Sequence, residues 1–304
     1  MGMRVTAAPF KSSGRDATVT LAVDLDASEL TFNDKNGSFA GTLELRHLAT
    51  DVDHKIYPEF RHTSTMTLDA ANLKRLRASG VRIVSQFDVP KGRYQVRVAA
   101  TSGGWNGSVV YDVEVPDFTA DPLALSGVVL AALTPAATAT LRPSAIKRTS
   151  QKSRQCRAAS CEASVVMESR LTAWSADVEK TGDAHMLRDV LPAPPTTTRE
   201  FAPEETLALY AEVYDNNRAA DRDAPYAIRL TASLLDASGA IVRDVSDERS
   251  SRAPRRPSGG HGFTLHVPLA GAAAGQHLLQ LEARSDRNPS QVVTRRIPIR
   301  LLSR

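Results

Sequence analysis

Apolar and polar residues alternate along most of the chain, which is the pattern of β-strands with one buried face. From Val19 to Leu25 every second residue is apolar. Further alternating segments run over 42–49, 62–68, 81–89, 93–99 and 108–115. Turn-forming residues separate them, as at Gly103 to Gly107. Short strands with turns at this spacing, within about 100 residues, predict an immunoglobulin-like β-sandwich.

One helix is predicted among these strands. Asp69 is suited to an N-cap, Leu73 and Leu76 fall on one face, and Gly80 stands where a C-cap belongs. We therefore expect one or two turns of helix at a corner of the first sandwich.

The second half of the chain repeats the strand pattern. Its alternating segments are 206–214, 226–235, 240–245, 262–269, 277–283 and 292–302. The segment that begins at Gly92 resembles the one that begins at Gly275, and Val109-Val110 recurs as Val292-Val293 at the same separation of 183 residues. This predicts that the same kind of hairpin closes both sandwiches.

Between the two strand-rich regions, residues 119–187 differ in composition. Six basic residues and no acid lie from Arg142 to Arg157, which predicts a basic, partly disordered linker. A basic arm that touches an anionic polymer or lipid is the alternative. We therefore predict an all-β fold with two immunoglobulin-like antiparallel β-sandwich domains, 1–118 and 188–304. The first holds the short helix, and the linker between them is flexible.

Composition limits the classes of partner that we expect for this chain. Arg and Lys exceed Asp and Glu by only four over 304 residues, and the acids are mixed through the chain, so no nucleic-acid partner is expected. The longest apolar run, Leu123 to Leu133, is shorter than the roughly 20 residues of a membrane span. The residues after Met1 lead into strand-like sequence, so we expect no signal peptide on this chain.

No motif of an enzyme is visible. The chain has no Gly-x-Ser-x-Gly elbow and no phosphate-binding glycine loop, and its seven histidines lack metal-ligand spacing. We therefore predict no enzyme activity, no catalytic residue, no metal and no cofactor. Cys156 and Cys161 form either a small disulfide loop or two free thiols.

Two sets of residues are weighed as binding sites. Asp215, Asp221 and Asp223 offer hard oxygens for Ca²⁺, with a plain inter-strand loop as the alternative and Asp51 with Asp53 as a weaker case. A tryptophan in a glycine-rich turn, Trp105, is a possible ligand or partner contact, because an exposed indole stacks on sugars or anchors proteins. The alternative is an indole folded over its own hairpin.

Several segments of the sequence resemble a known protein family. They are Arg4–Arg15, Pro90–Ala99, Tyr111–Phe118, Leu187–Thr197 and Leu207–Asn216. Together they resemble the C-terminal region of bacterial von Willebrand factor A-related proteins, which are common in Acidobacteria. The resemblance covers nearly the whole chain except about residues 134–170, which looks like an insertion.

In that family this region follows a von Willebrand A domain, and the proteins look exported. This chain departs from the family in lacking the Asp-x-Ser-x-Ser metal-adhesion motif; Asp26-Ala27-Ser28 lacks the second serine. The resemblance implies a non-catalytic structural and protein-interaction module, periplasmic or extracellular, within a longer precursor. Its partner would be a cell-surface or extracellular protein. The alternative is a carbohydrate-binding module with a polysaccharide ligand.

Overall fold

The computed structural model describes residues 2–57, 60–133, 139–141, 166–168, 187, 189–216 and 224–303. These ranges form an all-β structure with one short helix, which confirms the predicted fold class. The first-half elements are β1 (Met3–Lys11), β2 (Ala17–Leu25), β3 (Asn33–Lys35), β4 (Ser38–Asp51), β5 (Phe60–Leu68), α1 (Ala70–Ser79), β6 (Val81–Val89), β7 (Gly92–Ser102) and β8 (Trp105–Val115). The others are β9 (Leu123–Leu125), β10 (Val129–Leu133), β11 (Ala139–Leu141), β12 (Val166–Glu168), β13 (Glu200–Phe201), β14 (Thr206–Asp215), β15 (Ala227–Leu235), β16 (Ile241–Ser250), β17 (His261–Pro268), β18 (Gly275–Ser285) and β19 (Val292–Leu301).

The first sandwich consists of two sheets. Sheet A has the order β1-β2-β6-β11, and sheet B has the order β12-β5-β4-β7-β8 with β3 beside β4. Alternation places Leu21 and Val23 of β2 against Leu43 and Leu45 of β4, and all four side chains are fully buried in one core. The predicted alternation therefore corresponds to the inward faces of both sheets.

The helix α1 lies where its capping residues predict. The Asp69 carboxylate accepts a 2.7 Å hydrogen bond from the backbone N–H of Asn72. The N–H of Gly80 donates to the carbonyl of Leu76 over 2.9 Å, and Gly80 has φ +74°. A Cβ at Gly80 would lie 2.7 Å from the Leu25 carbonyl oxygen. Glycine is required there because the chain turns at positive φ while touching β2.

The second sandwich begins earlier in the chain than the sequence indicates. Sheet C has the order β10-β14-β17, with β9 also paired to β14, and sheet D has the order β13-β19-β18-β15-β16. The structure therefore places 123–133, which we assigned to the linker, in sheet C. The physical reason is burial: Leu123, Leu125 and Leu130 enter the second core. The basic run 142–157 and both cysteines lie outside the described residues.

The recurring hairpin is present in both halves. Strands β7 and β18 each have 11 residues and begin at Gly92 and Gly275, and each pairs antiparallel with the next strand, β8 or β19. Both glycines have positive φ, +155° and +131°. The 183-residue offset thus marks the start of the first strand in both hairpins, but not the second strand, because Val109 lies opposite Val98 within β8 whereas Val292 lies opposite Arg284 at the start of β19.

A third core joins the two sandwiches through the outer faces of sheets A and C. We call it the seam. Its buried residues are Ala8, Phe10, Val84, Val129, Ala131, Leu187, Leu191, Ala208 and Tyr210. Strand β14 is buried on both faces as a result, with Leu209 in the second core and Tyr210 in the seam. The sheets stack in the order B, A, C, D, so the two halves form a continuous packed unit.

Candidate functional site

A groove of about 590 Å³ opens on sheet B. We call it the sheet B groove; its lining residues are Thr50, Asp51, Val52, His54, Arg93, Tyr94, Gln95, Asp112, Val113 and Glu114. They come from the end of β4, the loop that follows it, the start of β7 and the end of β8. The register of the sheet brings these segments together, because Thr50 pairs with Gln95 and Gln95 pairs with Asp112.

The floor of the groove is polar because it is the outward face of the sheet. Gln95 and Asp112 are exposed and point to one side, while their neighbours Tyr94 and Val113 are buried in the first core. The Tyr94 hydroxyl donates a 2.7 Å hydrogen bond to the Pro90 carbonyl oxygen. The floor therefore rests on packed, hydrogen-bonded side chains.

One wall of the groove is a loop ordered by Asp51. One carboxylate oxygen of Asp51 accepts backbone N–H bonds from Asp53 over 3.0 Å and Lys55 over 2.9 Å. The other accepts from the Tyr57 hydroxyl over 3.1 Å. Desolvation raises the pKa of Asp51, but the bonds from Lys55, Tyr57 and Asp53 outweigh it, and the pKa lies below its ordinary value. An ionised Asp51 thus fixes the loop from within.

The tip of this loop exposes two branched apolar side chains. Val52 is 72% exposed and Ile56 is 67% exposed. Beneath them Tyr57 packs edge-on against Tyr94, with ring centroids 5.2 Å apart. His54, between the two apolar residues, has φ +61°, a conformation that is uncommon for residues other than glycine. The loop therefore exposes Val52 and Ile56 from a backbone that hydrogen bonds to Asp51 and the packing of Tyr57 hold in place.

Acidic groups outnumber basic groups in the lining. Asp51, Asp112 and Glu114 face a single arginine, Arg93, although the whole chain carries a net charge of +4. Within the described ranges Asp112 has no ion pair or hydrogen bond through its side chain. Burial lowers the pKa of Arg295 on β19, whereas the negative charge of Glu114 acts to raise the pKa of that guanidinium. The groove is thus a locally acidic surface on a basic protein.

Trp105 lies apart from this groove. It pairs with Ser102 at the far end of the β7–β8 hairpin, on the order of 20 Å from Gln95 at about 3.3 Å per residue. The indole is half-buried and packs against the first core, and a Cβ at Gly107 would lie 2.6 Å from the ring. The side chain therefore lies across its own hairpin with part of its surface exposed, and its role as a contact stays a prediction.

One of the three aspartates weighed as calcium ligands, Asp215, lies within the described residues. Asp215 is buried and accepts a hydrogen bond from the Tyr226 hydroxyl, whereas Asp221 and Asp223 lie outside the described residues. Both carboxylate oxygens of Asp51 are used within its own loop. In the described part of the chain, no three His, Cys, Asp or Glu side chains are arranged to hold a metal ion.

A histidine–serine contact lies inside the first sandwich. The His47 ring bonds to the Ser85 hydroxyl over 2.9 Å, and both residues are buried. Burial, with a smaller effect from His62, lowers the pKa of His47 to about 4. Burial likewise lowers the pKa of His62 to about 4. A weak base enclosed between two sheets is poorly suited to activate a nucleophile that a substrate must reach.

The sequence analysis missed a buried carboxylate beside the seam. Glu212 of β14 has no exposed surface. It accepts hydrogen bonds from the hydroxyls of Tyr210 over 2.7 Å, Tyr214 over 3.0 Å and Ser258 over 2.5 Å. The Tyr214 hydroxyl also accepts from the backbone N–H of Lys11 over 2.9 Å. In the sequence, the sign of this cluster is an acidic residue within a largely apolar strand. The cluster links the two halves of the chain through the bond between Lys11 and Tyr214.

Within the described ranges the chain has no helix of the length and apolarity that crossing a bilayer requires. No protein-family model and no curated protein matches this chain. Among solved structures it is similar to the crystal structure of red sea bream transglutaminase, with 11% identity and a TM-score of 0.23. That similarity covers 99% of this chain, which spans 32% of the transglutaminase chain.

Proposed function

We propose that this chain is a non-catalytic structural and protein-interaction module of an exported von Willebrand factor A-related protein. One observation carries the proposal: the sheet B groove lies beside a braced loop that exposes Val52 and Ile56. Large apolar side chains on a pre-ordered loop suit a protein partner, because little conformational freedom is lost when they are covered.

The chemistry of the groove favours a protein over a polysaccharide. Sugar rings stack on exposed aromatic faces, but the aromatic residue of the lining, Tyr94, is 4% exposed. The exposed groups are instead polar side chains on the floor and aliphatic side chains on the rim. An apolar contact bordered by polar groups is the usual composition of a protein interface.

The packing of the two sandwiches supports the structural part of the proposal. The seam buries Phe10 from the first half and Tyr210 from the second, and their rings stack with centroids 5.9 Å apart. A continuous core of this kind holds the groove at a fixed distance from sheet D. A rigid spacer that presents one interaction surface has this geometry.

The test compares partner binding by three forms of the whole chain. A partner is captured from the exported fraction on the immobilised chain, purified, and titrated against wild type, Val52→Ser/Ile56→Ser and Ile241→Ser. Ile241 is the matched control, because it is 63% exposed on the other sandwich. We expect the double variant to bind roughly tenfold or more weakly, since a partner that covers two exposed aliphatic side chains gains free energy from burying their apolar surface. Equal binding by all three forms would refute the proposal.

The second candidate is a carbohydrate-binding module centred on Trp105. The part of its indole that stays exposed at the end of the β7–β8 hairpin favours this candidate. Retention of wild type on a polysaccharide, lost in Trp105→Ala and kept in Val52→Ser/Ile56→Ser, would support it. Retention of none of these proteins would remove it.

A further inference from the structure

We propose that the sheet B groove recognises a lysine or arginine side chain of an extended segment of the partner protein. This inference rests on the proposed function and names the chemistry of the partner. Its basis is the placement of carboxylates on the groove floor relative to the apolar loop tip.

Two carboxylates lie in sequence on the outward face of β8. Asp112 and Glu114 are both exposed and are two residues apart on the strand, so their side chains point the same way about 7 Å from each other. Asp112 stands beside the amide of Gln95 in the sheet register. These oxygen acceptors face the space that the groove encloses.

The cations around the floor lie closer to Glu114 than to Asp112, because Asp112 stands opposite the neutral Gln95 in the sheet register and Arg97 is exposed two residues further along β7. Lys91 is paired with Asp117 over 2.7 Å outside the groove. The Arg295 guanidinium donates to the carbonyls of Leu125 and Ser126, which hold it at the second sandwich. Arg93, the lining residue with a permanent positive charge, stands directly opposite Glu114, so Asp112 is the floor carboxylate without a cationic cross-strand neighbour. A cationic side chain would therefore be drawn to the end of the groove at Asp112.

The loop tip adds an apolar requirement. Val52 lines the groove and Ile56 is exposed on the same loop. A partner that inserts a cation toward Asp112 can cover these side chains with apolar residues next to the inserted one. The expected ligand is an extended segment in which aliphatic residues flank a lysine or arginine.

The probe is a labelled peptide of repeated Ser-Val-Lys-Val units, measured against the whole chain by fluorescence anisotropy. A matched peptide carries glutamate in place of lysine. We expect saturable binding of the lysine peptide alone, weakening as salt increases because exposed charge pairs are screened. We expect Asp112→Asn/Glu114→Gln to weaken binding roughly tenfold, since these near-isosteric changes remove the charges and keep the shape.

The control is Asp244→Asn/Glu248→Gln, which removes the same two charges from exposed positions on sheet D. Thermal melting confirms that each double variant folds. Absence of saturable lysine-peptide binding, stronger binding of the glutamate peptide, or equal loss in both double variants would each overturn the inference. A purified partner that needs Val52 and Ile56 but tolerates Asp112→Asn/Glu114→Gln would overturn it while leaving the proposed function standing.

Discussion

The hydroxyl of Thr197 donates a 2.6 Å hydrogen bond to the carboxylate of Asp24, although 173 positions separate the two residues. The same carboxylate accepts two bonds from the Arg82 guanidinium, over 2.5 and 2.8 Å. The Arg82 side chain is 11% exposed and that of Asp24 is 21% exposed. The ion-paired carboxylate therefore ties the segment that precedes β13 to the outer face of sheet A.

Removing the charge of Asp24 should destabilise the whole unit. Asp24→Asn leaves the mostly buried Arg82 without its charge partner, and we expect the free energy of unfolding to fall by about 2–3 kcal/mol. Thr197→Val should cost about 1 kcal/mol, and the double variant should cost less than the sum because one carboxylate serves both bonds. Urea denaturation measures all three variants.

The matched control is Asp117→Asn. Asp117 pairs with Lys91, whose side chain is 68% exposed, and exposed ion pairs contribute little to stability. A loss for Asp24→Asn no larger than that for Asp117→Asn would contradict the anchoring role of the buried pair.

Proteolysis should cut the chain between its two halves, but the two resulting fragments should stay associated. The sequence places the first tryptic cuts between Arg142 and Arg170, where basic residues are frequent. The seam is built from both sides of that stretch, with Phe10 and Ala131 before it and Tyr210 after it. We expect two bands on a denaturing gel but one peak of intact size in gel filtration, since a buried apolar core holds the fragments together.

Phe10→Ala serves as the contrast, because it opens a cavity in the seam and should make the nicked fragments separate at lower urea concentration. Two peaks from nicked wild type in native buffer would show that the seam does not hold. First cuts outside 142–170 would refute the sequence prediction.

The strands predicted from sequence are those in which alternation marks one buried face. The prediction for 81–89 matches β6, and that for 206–214 is one residue shorter than β14. Alternation in β14 did not indicate that Tyr210 and Tyr214 on its second face are buried as well. The run Leu123–Leu133 falls within the region 119–187, which we assigned to the linker from its composition, whereas its pairing with β14 places it in sheet C.

The candidate site depends on hydrogen bonds within one loop and on the register of distant strands, and the sequence pattern does not define either of them. Asp51 and Asp53 were visible as a pair of carboxylates, and we weighed them as weak metal ligands. Their spacing equally suits a loop in which the first carboxylate accepts the N–H of the second residue, which the structure shows. The groove itself depends on the register of Thr50, Gln95 and Asp112, which comes from three distant strands.

The buried carboxylate of Glu212 should be essential for the packing beside the seam. Glu212→Gln replaces one acceptor oxygen with an amide NH₂ that faces the hydroxyls of Tyr214 and Ser258. We expect a loss of about 2–4 kcal/mol in the free energy of unfolding, because the buried hydroxyl groups of Tyr214 and Ser258 then lack the oxygen that accepts their hydrogen bonds. Tyr214→Phe should cost less, about 1–2 kcal/mol, because the Lys11 N–H loses its acceptor while Glu212 keeps the hydroxyl donors of Tyr210 and Ser258.

Glu204→Gln is the control for charge, because Glu204 is exposed at the turn before β14. It should change stability by less than about 0.5 kcal/mol. A neutral effect of Glu212→Gln, equal to that of Glu204→Gln, would mean that the cluster does not stabilise the fold.

Mild acid should weaken the first sandwich through its two buried histidines. The pKa values of His47 and His62 are lowered by burial from 6.5 to about 4. As pH falls below about 6.5 the unfolded chain binds protons that the folded chain does not accept until pH approaches 4. The free energy of unfolding should therefore be unaffected by these groups above pH 6.5 and should fall between pH 6.5 and 4, by roughly 3 kcal/mol for each histidine.

Urea denaturation at several pH values between 4.5 and 7 measures this slope. His47→Gln/His62→Gln should flatten it, and His266→Gln, which replaces a histidine exposed on β17, is the matched control. Some slope should persist in the double variant, since burial, followed by the charge of Arg255, also lowers the pKa of His261. A double variant with the wild-type slope would show that the protons are taken up elsewhere, and a flat wild-type profile would show that neither histidine is kept neutral by the fold.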